Sequence, residues 1–175
     1  YKGVKINTFS VDYGQDNEMT FKFNVMGASR EQDGTAYDSA AKASKLLRIA
    51  QNHAYVKIDG TESRIVKEGS LEINANLDGD QYVVGGGGLR GDIPEGLMKV
   101  SGSLKALFTS TEWMDKADTG AAVAMEIGFQ LDGNTSLVFA IPSVQFEPFD
   151  AQISGPAGVV VDVKWRAFST DGKSI

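Results

Sequence analysis

Residues 121–142, AAVAMEIGFQLDGNTSLVFAIP, decide the fold of this chain. Every second residue from Val123 to Leu131 is apolar, and the residues between them are small or polar. Such alternation is typical of a strand with one face in a core, because successive side chains point to opposite faces. Asp132-Gly133-Asn134 supplies the turn, and the apolar alternation then resumes until Pro142 ends it. The stretch therefore predicts a β-hairpin with one buried face.

The same alternation recurs along most of the chain. It predicts strands at residues 5–13, 19–25, 54–59, 63–67, 71–77, 98–108, 144–149 and 159–167, besides the two arms of the hairpin. Short strands with glycine-rich turns indicate an all-β, mainly antiparallel fold, a two-sheet sandwich or barrel. Apolar residues at helical spacing predict one flanking α-helix over residues 38–51, and residues 111–117 predict a short helical turn. We expect a single domain spanning residues 1–175.

The composition excludes several classes of function. Tight binding of DNA or RNA requires a basic patch, and this chain carries a net charge of -6. It has no cysteine, and His53 is its only histidine, so one chain cannot form a disulfide, a His-based triad or a multi-histidine metal site. No apolar run is long enough to cross a bilayer. We predict neither a metal nor a cofactor.

A long connection, residues 78–96, separates two predicted strands. Its segment GGGLRG at 86–91 matches the dinucleotide pattern G-x-G-x-x-G, but a strand follows it instead of the helix that would hold a pyrophosphate. A connection of roughly twenty residues is longer than usual, and such loops are typically functional or disordered. The tripeptide Arg90-Gly91-Asp92 leaves adhesion open as an alternative.

Two further alternatives stay open. A carbohydrate-binding sandwich would present exposed aromatic side chains, and Tyr82, Trp113 and Phe149 could serve. A glycosidase would need two carboxylates facing each other across a cleft. Glu72 and Glu126 lie on polar strand faces, which are more often solvated, so this class is the weaker of the two.

Several segments, taken in order, resemble a known family. They are IVKEGSLEIN at 65–74, VSGSL at 100–104, the aromatic segment at 108–113, FAIPSVQF at 139–146 and VDVKWRA at 161–167. Their order is similar to that of the tail tube proteins, or major tail proteins, of long-tailed bacteriophages. The resemblance covers most of the chain. That family carries a further block ahead of the matched part, so the resemblance implies a C-terminal portion or a shorter relative.

The resemblance implies a virion structural protein without enzyme activity or cofactor. Such proteins are made in the host cytoplasm and form stacked hexameric rings in the tail, with other tail proteins but no membrane as partners. Double-stranded DNA passes through the central channel during ejection without specific binding. Two sets of site residues follow as expectations. The candidate inter-ring loop is Val84, Gly85, Gly86, Gly87, Gly88, Leu89 and Arg90, and the candidate channel-facing residues are Glu126 and Gln130.

Overall fold

A computed structural model describes residues 1–14, 17–32, 34–35, 40, 48–151 and 158–169. Within these residues the chain is mostly antiparallel β-structure, as predicted. The strands are β1 Lys5–Gly14, β2 Asn17–Met26, β3 Ala54–Ile58, β4 Thr61–Ser63, β5 Val66–Asn74, β6 Lys99–Leu107, β7 Val123–Gln130, β8 Ser136–Phe146 and β9 Val160–Ala167. A 3-10 turn, Gln51–His53, precedes β3, and helix α1, Glu112–Thr119, joins β6 to β7.

All nine strands belong to one hydrogen-bonded sheet in the order β2-β1-β5-β6-β9-β8-β7-β3-β4. The predicted division into two sheets is therefore not confirmed. The sheet curls, because strands distant in this order meet across the core. The ring of Tyr13 on β1 packs edge-on against Phe129 on β7, with centroids 5.4 Å apart. Phe9 on β1 lies 5.9 Å from Phe139 on β8. Two halves of one sheet thus supply the facing layers that the sequence suggested as separate sheets.

The core confirms the alternation in the first arm of the predicted hairpin, whereas Leu137 in the second arm is exposed. Val123, Met125, Ile127 and Phe129 on β7 are all buried, while Gln130 at the end of the strand is exposed. Other fully buried side chains come from strands throughout the sheet: Val11, Leu71, Leu104, Val144, Phe146, Val163 and Trp165. Each large apolar side chain buried in this way contributes about 1.5–3 kcal/mol of transfer free energy. The curled sheet is therefore held together mainly by its inner face.

The prediction that Pro142 ends a strand is wrong, since β8 continues through it to Phe146. On β7 the pairing advances from Val123 to Met125. Their partners on β8, Val144 and Ile141, are three positions apart instead of two. β8 therefore contains one extra residue, which forms a bulge at Pro142. A bulge tolerates proline because the ladder hydrogen bond is already lost there. Beyond it, Val144 still pairs with Val123 of β7, and the other edge of β8 pairs with β9.

The helical predictions have different outcomes. Most of the helix predicted over 38–51 lies outside the described residues, and residues 48–50 are not helical. The short turn predicted at 111–117 is confirmed as α1, which ends at Gly120 with a left-handed φ of 65°. In the described part of the chain, no helix is long and apolar enough to span a membrane.

Candidate assembly surfaces

Three of the sequence segments that carry the family resemblance meet in one row across the sheet. Trp165 on β9 pairs with Gly102 on β6 and with Phe146 on β8. The indole covers Gly102 so closely that a Cβ atom there would lie 2.6 Å from Cζ2 of Trp165. The same Cβ would lie 2.0 Å from the carbonyl oxygen of Ser70 on β5. These motif residues therefore build the core and form no exposed site.

Glu126 forms a polar cluster with two residues of β3 on the outer face of the sheet. Its Oε1 accepts hydrogen bonds from Tyr55 Oη and from Lys57 Nζ, both at 2.8 Å. The hydrogen bonds from Lys57 and Tyr55 lower the pKa of Glu126, and the bond to Glu126 raises the pKa of Lys57. The Tyr55 ring lies over Gly128, which leaves room for it by having no side chain. The carboxylate is therefore ionised at neutral pH and locally balanced by Lys57.

Gln130 lies on the same face of β7 as Glu126, with Gly128 between them. It is exposed and pairs with Ser136 beside the hairpin turn. The structure thus places the two candidate channel-facing residues on one face of β7, where Gln130 is exposed and Glu126 is half-buried. Sequence reasoning missed Tyr55 and Lys57, because the register between β3 and β7 cannot be read from either strand alone.

Loop 78–96 is fixed at its base and exposed at its tip. At the base, Ile93 is buried, and its carbonyl oxygen accepts a hydrogen bond from Lys5 Nζ at 2.8 Å. Arg90 Nη1 donates to the carbonyl oxygen of Gly27 at 2.8 Å, and its guanidinium group lies over the Tyr82 ring. At the tip, Val84 is fully exposed. The predicted loop set therefore divides into an exposed tip, residues 84–89, and an anchor, Arg90.

The residues of the alternative functions do not come together. Trp113 and Phe149 pack against the core, so of the three candidate aromatic side chains only Tyr82 is largely exposed. Glu72 and Glu126 lie on β5 and β7, which are separated by three strands in the sheet. Among the described residues, no group of three or more acidic or histidine side chains could hold a metal ion. The three candidate aromatic side chains thus form no sugar platform, and Glu72 and Glu126 form no facing carboxylate pair.

Comparison with family models identifies the class of this protein. Residues 1–167 of the 175 match the model described as phage tail tube protein. The chain belongs to the phage tail tube protein family. A comparison with curated proteins found no significant match. Membership of the family makes the chain a structural protein of the virion tail, which assembles with itself and with other tail proteins.

Proposed function

We propose that this chain is the repeating subunit of a phage tail tube, built from stacked hexameric rings around a channel for DNA ejection. The family match over residues 1–167 carries the proposal. The sheet supports it, because it is open and has an edge strand at each end, β2 and β4. Edge strands can pair with strands of neighbouring copies. A ring requires such a heterologous contact, in which two different surfaces of each copy meet.

The outer face of β7 is our candidate for the channel wall. A wall that lets DNA slide should not bind phosphate, and the net charge of -6 favours this. Glu126 and Gln130 offer one balanced carboxylate and one neutral amide on that face. In this arrangement the curled sheet acts as the two-layered, sandwich-like body of the subunit. One layer faces the channel and the other faces outward.

The exposed tip of loop 78–96 is our candidate for contact between rings. Its apolar side chains, including Val84 and Leu89, are exposed and project from a base anchored by Arg90 and Ile93. Gly85, Gly87 and Gly88 have positive φ angles, so the backbone of the tip depends on glycine. Contact with the next ring would bury these apolar side chains and order the tip.

Sedimentation velocity over a range of protein concentrations tests the proposal. We expect a species of about 112 kDa, six copies of the 18.7 kDa chain, followed by larger particles as rings stack. A monomer at every concentration would contradict the proposal. If that monomer also bound glycans, a carbohydrate-binding module would replace it.

A further inference from the structure

An exposed row of apolar side chains lies on the hairpin of β1 and β2. Its members, which we call the apolar shelf, are Ile6, Phe21, Phe23 and Val25. Their exposed fractions are 51%, 36%, 59% and 53% respectively. Phe9 links the shelf to the core, because its ring lies 5.0 Å from Phe23 and 5.9 Å from Phe139. The shelf therefore continues the inner face of the sheet beyond the part that the facing layer covers.

A bulge in β1 enlarges this shelf. Ile6 pairs with Val25, but Thr8 pairs with Asn24, so Asn7 is an extra residue in β1. Side chains three positions apart on a regular strand point to opposite faces. The extra residue places Ile6 on the same face as Phe9. The main-chain and side-chain oxygens of Asn7 accept hydrogen bonds from residues 75 and 77, which holds the bulge in place.

The shelf is uncharged and as large as the largest apolar patches on soluble monomers. Taking about 150–200 Å² for each complete side chain, the four residues expose about 350 Å² of apolar area. Patches of this size on soluble proteins are often functional. A standard interface buries about 800 Å² on each partner, so the shelf would supply its apolar centre. Lys22, the charged residue nearest along β2, points to the other face and pairs with Asp12 at 2.7 Å.

We infer that a second copy of this chain covers the apolar shelf, seated along the outer edge of β2. Among the described residues, the outer edge of β2 makes one backbone hydrogen bond, from Met19 N to the carbonyl oxygen of Ile49. A neighbouring strand pairing with the rest of β2 would satisfy its backbone and lay apolar side chains beside Phe23 and Val25. The inference rests on the proposed function, because the next subunit of the ring is the copy that binds there.

Thiol labelling tests the inference directly, because the natural chain contains no cysteine. The test variant is Val25→Cys, and its matched control is Asn24→Cys, the next residue on the opposite face of the same strand. A maleimide reagent should label both cysteines quickly in dilute monomer. On assembly, labelling of Val25→Cys should slow by at least about tenfold, because a covered thiol is no longer accessible. Labelling of Asn24→Cys should change by less than about threefold.

The possible outcomes distinguish failure of the inference about the shelf from failure of the proposed function. Slow labelling of Val25→Cys in the monomer would show that the chain's own residues cover the shelf, and it would overturn the inference. Equally fast labelling in monomer and tube would also overturn it but would leave the tube intact. Absence of assembly by the unmodified protein would contradict the proposed function itself. As a second test, Val25→Asp should raise the critical concentration for assembly at least about tenfold relative to Asn24→Asp, since it buries a charge.

Discussion

Replacement of Gly102 by alanine tests the row in which the family motifs meet. Gly102 lies on a central strand, with β5 on one side and β9 on the other. The added methyl group would lie 2.0 Å from the carbonyl oxygen of Ser70 and 2.6 Å from the Trp165 indole. Ser70 is held in the hydrogen-bonded ladder between β5 and β6, and Trp165 is only 1% exposed. Displacing either residue would therefore cost stability. We expect Gly102→Ala to destabilise the fold through overpacking.

Overpacking of a close-packed core costs about 1–3 kcal/mol of stability. Because the added methyl group would collide with two groups, we expect a cost near the upper end of this range. A loss of about 2–3 kcal/mol lowers the melting temperature of a domain of this size by about 5–10 °C. Tryptophan fluorescence during thermal or urea unfolding measures the change, because Trp165 moves from the core to water. The matched control is Gly133→Ala in the hairpin turn, where no heavy atom lies within 4 Å of the added Cβ.

The control should melt at the wild-type temperature or slightly above it, because a compatible glycine-to-alanine change stabilises by up to about 1 kcal/mol. Equal melting temperatures for Gly102→Ala and Gly133→Ala would refute the reasoning. That result would mean that the indole or the β5 strand can relax. The close contact between Gly102 and Trp165 would then not explain why glycine and tryptophan stand at these two positions.

Three further predictions address the exposed surfaces. Because hydrogen bonds from Lys57 and Tyr55 lower the pKa of Glu126, its ionised form stabilises the fold above the ordinary value of 4.5, and this contribution is lost as the pH falls below it. Glu126→Gln should therefore flatten the fall in melting temperature between about pH 5 and pH 3, and identical pH profiles would contradict this. Val84→Ser combined with Leu89→Ser should leave the melting temperature within about 2 °C of wild type but reduce stacking measured by light scattering, since surface changes rarely alter stability. Unimpaired stacking would exclude the tip as the contact between rings. Glu126→Lys should slow DNA ejection from assembled phage if β7 lines the channel, and an unchanged ejection rate would place that face outside.

The sequence predicts the buried face of a strand well where that strand lies inside the sheet. Alternation in β7 predicts its buried face, because side chains across the core, such as Tyr13 on β1, cover that face. The residues from Met19 to Val25 alternate as strictly, yet Phe23 and Val25 are more than half exposed. They belong to an edge strand, and alternation alone does not reveal where a strand lies in the sheet. The same apolar alternation thus corresponds to a buried face in β7 and to an exposed candidate interface in β2.

Long-range pairing accounts for the features that sequence reasoning missed. The bulge at Pro142 lies where β8 gains β9 as a second neighbour, and β9 lies outside the hairpin that contains the proline. The single sheet likewise depends on ladders such as that between β6 and β9, which join strands more than fifty residues apart. For the candidate sites, composition and order indicate an exposed loop and a polar strand face. The anchoring of Arg90 at Gly27 and the pairing of Glu126 with Lys57 appear only once the strands are placed.

Electron microscopy of the concentrated protein tests the central claim most directly. End-on views of assembled particles report both the rotational symmetry and the presence of a channel. We predict tubes of stacked rings with six-fold symmetry around an open lumen. A protein that stays monomeric at high concentration, or that forms closed particles or filaments without a lumen, would contradict the account.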